Sequence, residues 1–373
     1  MDWTTGIERW GEPTVLALCG LAVGLGFGFF AQRSRFCLRA AVVEFWHGKF
    51  GEKLAVWLLA FATAVVVVQL FVVSGTLDVS TARQLATRGS LSGALVGGLI
   101  FGVGMVMTRG CASRLLVLSA NGNLRALLSG LVFAVTAQAA LGGALAPLRE
   151  AIAGWWVVDG GPSRSLLALM GVGPMDGLAF GALWLVVAGF FAHHSGWSFW
   201  KWAGGVGTGL MVALAWAGTY QVMSHSFEPV QIQGLTFSGP SAEWLMRVLA
   251  EPGEPWTFGL GLMPGVFLGS LIGALVGGDW KLEGFGGGYT MPRYIVGAIL
   301  MGFGSMLAGG CAVGAGMTGG AIFAVTAWVT LVGMWIGGGV ADRVLDGAHK
   351  HAPAPAPSAH PAPVAASAPT AAP

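Results

Sequence analysis

Residues 96–112 read VGGLIFGVGMVMTRGCA, and residues 296–312 read VGAILMGFGSMLAGGCA. Both stretches are glycine-rich apolar runs that end in Gly-Cys-Ala, and their cysteines, Cys111 and Cys311, lie 200 positions apart. The chain has only four cysteines, so two of them fall at the same place in a repeat. The pattern predicts two related halves, each of which places a cysteine at the end of a hydrophobic span.

The composition of the whole chain is that of a membrane protein. Hydrophobic residues make up 55% of the chain and charged residues 10%, with a mean hydropathy of +0.72, whereas soluble domains carry about 25% charged residues. These values exclude a soluble globular protein. The net charge of +2 gives no basic surface for nucleic acid. The 62 glycines favour close helix packing and broken helices inside a membrane.

Apolar stretches of about 20 residues predict the membrane-spanning helices. We predict an all-α polytopic membrane protein with about nine transmembrane helices in a single domain over residues 1–351, whose repeat halves cover about 14–165 and 200–340. Residues 352–373 are rich in Ala and Pro, which predicts a disordered tail. The predicted spans are 14–32, 53–74, 91–107, 124–146, 166–192, 203–222, 257–277, 293–310 and 321–339.

Lys and Arg residues orient the predicted spans, because they collect on the cytoplasmic side of a membrane. With the N-terminus outside, thirteen of the nineteen Lys and Arg residues fall on the inner side, which predicts a cytoplasmic C-terminus. The span that ends near Cys111 then runs inward, and the span that ends near Cys311 runs outward. Similar segments of opposite direction predict a pseudo-symmetric inverted repeat, with re-entrant short helices or loops and a site near the midplane.

Cys111 is the strongest candidate site residue, because it lies between Arg109 and Arg114. Nearby guanidinium groups stabilise an anion or a thiolate. Gly110 permits close approach of the backbone, and a short helix after Cys111 would direct its free N–H groups to the same point. The alternative interpretation is a small buried hydrophobic residue, which is what a free cysteine usually is.

Cys311 and Cys37 are the next candidates, and each has an alternative interpretation. Gly310 precedes Cys311 in a glycine-dense segment without a neighbouring arginine, so backbone N–H groups would supply the hydrogen bonds; the alternative is a packing corner. Cys37 lies between Arg35 and Arg39, whose positive charge favours an anion. The alternative is that these arginines only mark the cytoplasmic end of the first span.

Other positions limit or complicate this site. The residue 200 positions after Cys37 is Phe237, so the predicted symmetry is imperfect. Cys19 lies in mid-span without a polar neighbour and is predicted to pack. Asp176, near the start of the fifth span, is either functional or exposed at the interface. The connection 223–256 is predicted to be an added external loop of unknown role.

No pattern of a catalytic, metal or nucleotide site occurs in the sequence. The chain lacks C-x-x-C, H-E-x-x-H, G-x-S-x-G and the Gly-Lys-Ser/Thr of a phosphate-binding loop. We therefore predict that the protein is not an enzyme, with no catalytic residues, metal site or cofactor.

Three short motifs resemble the YeeE/YedE family of sulfur-ion transporters over about residues 14–340. They are SRFC ending at Cys37, RGCAS around Cys111 and GGCAVG around Cys311. That family imports thiosulfate into bacteria. The resemblance implies an hourglass-shaped protein of the inner membrane in which these three cysteines line a narrow path and relay the ion through S–H···S contacts. It also implies a separate small cytoplasmic sulfurtransferase-like partner.

The sequence therefore predicts uptake of thiosulfate or a closely related sulfur anion. Two alternatives stay open at this point: a membrane thiol enzyme that transfers or reduces sulfur, and a transporter of another anion such as sulfite or a selenium species. The predicted path residues are Cys37, Cys111 and Cys311, and the predicted anion-stabilising residues are Arg35, Arg39, Arg109, Arg114, Gly110 and Gly310.

Overall fold

The computed structural model describes residues 3–194, 197–226, 231–249, 253, 255–285 and 291–346; the predicted tail at 352–373 lies outside the described residues. Helices dominate this part of the chain, and its strands are limited to the antiparallel pair β1 (Gly89–Ser90) and β2 (Val157–Val158). In chain order the helices are α1 (Trp3–Trp10), α2 (Glu12–Ser34), α3 (Leu38–Trp46), α4 (Glu52–Val73), α5 (Arg83–Ala86), α6 (Leu91–Met107), α7 (Ala112–Ala120), α8 (Leu124–Gly142), α9 (Ala146–Ala153), α10 (Leu166–Met170), α11 (Pro174–His194), α12 (Phe199–His225), α13 (Ser238–Leu249), α14 (Phe258–Gly277), α15 (Met291–Leu307), the Cys311 helix (Ala312–Gly319, wound as a π-helix) and α16 (Val325–Ala341).

The predicted fold class is confirmed, since the protein is an all-α polytopic membrane protein. Each of the nine predicted spans overlaps a helix, and eight segments of the described residues are long and apolar enough to cross a membrane. The predicted span that is not among these eight is 203–222, which lies in α12. Helix α12 has 27 residues, or about 40 Å at 1.5 Å per residue.

The neighbours of α12 show how it runs through the molecule. Gly204 of α12 lies against Ser34 at one end of α2, and Gly218 lies against Cys19 nearer the other end. The two helices are therefore antiparallel and lie side by side over most of the length of α2. The same contact accounts for Cys19, whose thiol packs against Gly218 as the sequence predicts.

Glycine seams hold the long helices at short distances. On α2, Gly24 and Gly28 lie one turn apart and face α14. A Cβ on Gly24 would lie 2.5 Å from the carbonyl oxygen of Leu262, and a Cβ on Gly28 would meet the carbonyl of Val266. The residue numbers of the contacting positions rise along both helices, so α2 and α14 run parallel. Only glycine permits this approach, which maximises van der Waals contact where lipid provides no hydrophobic driving force.

The two repeated spans pack against each other as α6 and α15. A Cβ on Gly97 would lie 2.7 Å from the carbonyl oxygen of Gly304, and a Cβ on Gly104 would lie 2.6 Å from that of Gly297. Here the residue numbers on α15 fall as those on α6 rise, so the two helices are antiparallel. Adding 200 to Gly97 and subtracting it from Gly304 turns the first contact into the second. The pair therefore has the pseudo-two-fold relation of an inverted repeat.

The order of long and short helices also occurs twice. The first copy is α2, α3, α4, α6, α7 and α8, and the second is α12, α13, α14, α15, the Cys311 helix and α16. In the sequence, helix α11 lies between the two copies, and in the structure it packs on α4. The boundaries of the halves, about 14–165 and 200–340, stay a prediction.

The connection 223–256 is not a plain loop in the residues that the structure describes, and its external location stays a prediction. This connection holds α13 and an extended segment before it, and it buries Ile232, Leu235 and Phe237. In the order of helices α13 corresponds to α3. A helix of 12 residues is too short to be found as a membrane span from hydropathy, which is why the sequence did not indicate it.

The fifth predicted span begins with a break. Helix α10 ends at Gly171, whose φ of 68° is left-handed, and α11 begins at Pro174. The Asp176 carboxylate is exposed and accepts a hydrogen bond from the Gly173 N–H at 2.9 Å. Of the two interpretations of Asp176, the structure favours interfacial exposure, with the carboxylate stabilising the first turn of α11.

Candidate functional site

Three short helices begin immediately after a cysteine. Cys37 precedes α3, Cys111 precedes α7 and Cys311 precedes the Cys311 helix. All three side chains are buried, and all four cysteines of the chain are free thiols. The three predicted path residues therefore share one local position, directly before the first residue of a short helix.

A left-handed residue two positions before each cysteine reverses the chain. These residues are Arg35, Arg109 and Gly309, with φ values of 55°, 57° and 79°. At Arg35 the backbone N–H bonds the Gln32 carbonyl at 3.2 Å, which closes the end of α2. A left-handed residue of this kind commonly ends a helix. The incoming helix thus ends at this turn, and the short helix begins three residues after the left-handed residue.

The three cysteines leave the starts of their helices without a side-chain cap. None of the three thiols makes a capping hydrogen bond of ordinary geometry, whereas Ser90, Asn123 and Thr257 accept such bonds at the starts of α6, α8 and α14. The backbone N–H groups of Ala40 and Arg114 do interact with the thiols of Cys37 and Cys111. The first N–H groups of a helix have no partner within the helix and attract an anion. Because a thiol is a weak acceptor, an anion can compete with it for these backbone donors.

Cys37 and Cys111 are brought together although they are far apart in sequence. Their side chains interact with each other, and the Cys111 Sγ lies 3.4 Å from the Ser113 Oγ. The Arg114 guanidinium is close enough to act electrostatically on both thiols, and Arg39 acts on Cys37. The result is a pair of buried thiols in a positive electrostatic field.

Arg114 connects this thiol pair to a cavity of about 210 Å³. We call it the Arg114 cavity. The Arg114 Nη1 lies 3.4 Å from the Gln32 Oε1, and the Arg35 Nη2 lies 3.8 Å from the Asp279 Oδ1. The cavity combines three cationic and two anionic side chains. It is lined by Gln32, Arg35, Arg114, Leu118, Asn121, Asn123, Asp279, Lys281 and Glu283.

A second polar cavity, of about 310 Å³, lies at the opposite end of the helices. We call it the Arg149 cavity. Asn123, before the first residue of α8, lines the Arg114 cavity, and Leu141, near the end of α8, lines the Arg149 cavity. The axial separation of these two residues is about 27 Å, close to the thickness of a bilayer core. The Arg149 cavity is lined by Arg83, Gln84, Leu141, Arg149, Gln231, Ile232, Gln233, Gly234, Thr236, Ser238, Gly239, Pro240, Glu243, Ser305, Met306 and Gly309.

Cys311 belongs to the side of the Arg149 cavity, because Gly309 lines that cavity two residues before it. An aromatic cluster connects the turn at Cys37 to the segment around Phe237, whose neighbours Thr236 and Ser238 line the Arg149 cavity. The Phe27 ring centroid is 6.3 Å from that of Phe36 and 5.3 Å from that of Phe237. The structure thus places two cysteines beside the Arg114 cavity and one beside the Arg149 cavity.

The remaining predicted anion-stabilising residues differ in their placement. Arg109 is exposed and is not among the described residues that line either cavity. A Cβ on Gly110 would meet no atom closer than 3.6 Å, so the protein's own packing leaves room for a side chain there. A Cβ on Gly310 would lie 2.8 Å from the Ala315 nitrogen, so that position needs glycine for packing. Anion binding at these positions stays a prediction.

Sequence reasoning missed most of the polar residues that line the two cavities. Asp279 and Lys281 directly follow the end of α14, and Arg83 and Arg149 follow α4 and α8. In the sequence, Arg83, Arg149 and Lys281 indicate only the orientation of the spans, and Asp279 has no signal beyond a charge near the end of a span. Among the described residues, no group of three or more His, Cys, Asp or Glu side chains is arranged to hold a metal ion.

Comparison with known proteins gives the family. The model of the family described as Sulphur transport matches residues 33–340. The chain is 28% identical over 335 residues to Thiosulfate transporter TsuA of Spirochaeta thermophila, which covers 85% of this chain and 96% of the relative. It is 25% identical over 340 residues to Thiosulfate transporter TsuA of Escherichia coli K12, covering 86% and 92%. Because the family model spans most of the sequence, the chain belongs to the sulphur transport family, also named YeeE/YedE.

Proposed function

We propose that this protein imports thiosulfate, or a closely related sulfur anion, across the bacterial inner membrane. The observation that carries the proposal is the buried Cys37–Cys111 pair beside Arg114, which lies between two polar cavities at opposite ends of the helices. The relatives named as thiosulfate transporters support the choice of anion.

The cysteines make the interior passable for a dianion without trapping it. An ion in a low-dielectric interior needs charges or dipoles that replace its hydration shell. Arg114 and the uncapped N–H groups at the starts of the short helices supply them. Thiol S–H groups add weak, soft hydrogen bonds to the sulfur end of the ion, and transport requires sites that are weak enough to leave.

The order of the path follows from the placement of the cysteines. The anion enters the Arg149 cavity, passes Cys311, reaches the Cys111 and Cys37 pair, and leaves through the Arg114 cavity. With an external N-terminus and a cytoplasmic C-terminus, the Arg114 cavity opens to the cytoplasm. In this orientation the arginine-rich end of the path draws the anion inward.

Direct uptake tests the proposal. Purified protein in sealed proteoliposomes should accumulate radiolabelled thiosulfate above the level of empty vesicles, and unlabelled sulfate, sulfite and selenite as competitors should establish the preferred anion. A bacterial strain without other sulfur importers should grow on thiosulfate when it expresses this chain. Folded protein that gives no thiosulfate flux would contradict the proposal.

A membrane thiol enzyme remains a second candidate, because Cys37 and Cys111 are a pair of thiols that meet. Such a pair is what sulfur transfer or disulfide chemistry requires. A persulfide trapped on Cys111 during turnover, without net flux into sealed vesicles, would favour the enzyme. Flux without a covalent intermediate would favour the transporter.

A cytoplasmic partner stays a prediction of the family resemblance. A small sulfurtransferase-like protein would take the anion after release and keep its free concentration low. Co-purification of such a protein with the full-length chain from its native membrane tests this prediction. The matched preparation for comparison is one in which the chain is absent.

A further inference from the structure

The Arg114 cavity contains two carboxylates, which is unexpected in the path of an anion. Asp279 lies 3.8 Å from Arg35, and its side chain is 38% exposed. The Glu283 Oε2 accepts a hydrogen bond from the Asn123 Nδ2 at 2.6 Å. The two acids therefore differ: Glu283 is engaged by a neutral amide, whereas Asp279 faces an arginine.

Both acids lie on one backbone segment, residues 279–283, which we call the strap. Helix α14 ends at the left-handed Gly278, and the Asp279 N–H then bonds the Ala274 carbonyl at 2.9 Å. Further along the strap, the Lys281 N–H bonds the Asn121 carbonyl at 3.2 Å. Asn121 directly follows α7, the helix that begins after Cys111. These bonds hold Asp279 at a fixed position beside the cavity.

Arg114 is the second cation within the influence of Asp279. Among the described residues its one hydrogen-bond partner is the neutral Gln32. Asp279 and the two thiols favour its charge, and Arg35 opposes it. An anion that enters this cavity therefore competes with Asp279 for the same two guanidinium groups.

We propose that Asp279 is a displaceable counter-ion that sets the rate of anion release from the Arg114 cavity. In the empty cavity its carboxylate pairs with Arg35 and balances the charge of Arg114. An arriving sulfur anion displaces it, and its return helps to expel the anion. The 3.8 Å separation and the partial exposure make this pair weak enough to exchange. This inference rests on the proposed function.

The substitution Asp279→Asn tests the role of the carboxylate. Without a competing charge, radiolabelled thiosulfate should bind to the purified full-length protein roughly two- to five-fold more tightly, the range expected for a partly exposed ion pair. Release should slow, so KM and the maximal uptake rate in proteoliposomes should fall together. A merely structural defect would lower uptake without tightening binding. Asp279→Glu keeps the charge and should restore values close to those of the unmodified chain.

The matched control is Glu52→Gln. Glu52 pairs with Lys201 at 2.6 Å and lies outside the residues that line the cavity. It should leave thiosulfate binding and uptake unchanged. If Asp279→Asn does not fold, Asp279→Ser provides the same test.

Two failures can be separated. If the unmodified chain transports thiosulfate and Asp279→Asn binds it equally or less tightly, the role of Asp279 is overturned while the proposed function stands. If the folded unmodified chain neither binds nor transports thiosulfate, the proposed function is overturned, and the inference about Asp279 with it.

Discussion

The turn at Cys37 and the turn at Phe237 have the same place in the repeated order of helices but different chemistry. Each ends at the residue before a short helix, α3 in the first copy and α13 in the second. Cys37 interacts with Cys111, whereas Phe237 is buried against Phe27 with ring centroids 5.3 Å apart. The backbone plan is repeated, and the polar site is not.

We infer that this difference makes the two ends of the proposed path unequal. A fully symmetric path would carry two thiol pairs and would hold an anion equally at both ends. Phenylalanine has no S–H group and no charge, so the Arg149 side keeps a single thiol, Cys311. The Arg114 side keeps a pair of thiols and a buried guanidinium. The proposed path therefore goes from weak binding to stronger binding, and the strap beside the Arg114 cavity opposes trapping.

The largest effect is expected from Cys111→Ala. Cys111 is completely buried and interacts with Cys37, so removing its thiol leaves an anion without its central partner. Thiosulfate uptake into proteoliposomes should fall to the level of empty vesicles while the protein still folds, because alanine is nearly the size of cysteine and no capping hydrogen bond of ordinary geometry is lost.

The matched control for this loss is Cys19→Ala, since Cys19 packs against Gly218 away from both cavities. That variant should retain full uptake. Unchanged uptake by Cys111→Ala, alone or combined with Cys311→Ala, would contradict the cysteine relay.

The next largest effect is expected at the α6–α15 contact, where the two halves of the molecule are symmetric. Gly104→Val and Gly297→Val place a side chain into the same α6–α15 contact from its two sides, where a Cβ would lie 2.6 Å and 2.9 Å from the opposing carbonyl oxygen. Overpacking of this kind costs about 1–3 kcal/mol or more. Both variants should lower the thermal unfolding temperature in detergent by similar amounts, of several degrees.

Gly130→Val is the control for the glycine seam, because no atom lies within 4 Å of a Cβ at that position. It should unfold at nearly the temperature of the unmodified chain. Strongly unequal losses for Gly104→Val and Gly297→Val would show that the two sides of the contact are not equivalent.

A smaller effect is expected when the broken symmetry is partly restored. Phe237→Cys introduces a thiol at the position that corresponds to Cys37, on the side of Cys311. A more even path should hold the anion longer near the Arg149 cavity, so uptake should fall by about two- to five-fold, the effect of one added weak contact. Phe237→Leu controls for the loss of the aromatic ring and should change uptake less. Equal uptake by both variants would argue that the thiol at this position has no influence.

Much of the fold could be predicted from the sequence, because a membrane-spanning helix is recognised by an apolar run of about 20 residues. The inverted repeat could also be predicted, since Gly297 and Gly304 precede Cys311 at the same spacing as Gly97 and Gly104 precede Cys111. Helix α13 was not readable, because a short helix buried among longer ones carries no such signal. Only the structure shows that α13 has the same place in the second copy as α3 has in the first.

The site could be predicted only in part for a related reason. Local motifs identified the three cysteines and Arg114, because a charge beside a thiol is visible in sequence. The contact between Cys37 and Cys111 and the ion pair between Arg35 and Asp279 join residues that are far apart along the chain. Such contacts follow from helix packing and have no local pattern.

The smallest effect is expected at Arg164, two residues before α10. The Leu166 N–H bonds the Phe323 carbonyl shortly before α16, just as the Leu124 N–H at the start of α8 bonds the Glu283 carbonyl of the strap. The segment before Leu166 carries Arg164, whereas the strap carries two acids. Arg164 is buried and donates to the Thr87 carbonyl at 2.6 Å and to the Thr326 Oγ1 at 2.7 Å.

Two opposing contributions make the net effect of Arg164→Gln small. Burial, and the charge of Arg83, lower the pKa of Arg164 from its ordinary value. A lowered pKa of a cationic group means that its charge destabilises the fold at neutral pH. The hydrogen bonds to Thr87 and Thr326 act in the other direction, each worth about 1 kcal/mol. The variant should lower the unfolding temperature by about 1–4 °C and leave thiosulfate uptake unchanged.

Arg88→Gln is the control, because Arg88 is 80% exposed and pairs with an exposed Asp159. It should leave the unfolding temperature unchanged. A higher unfolding temperature for Arg164→Gln would show that the buried charge outweighs its hydrogen bonds.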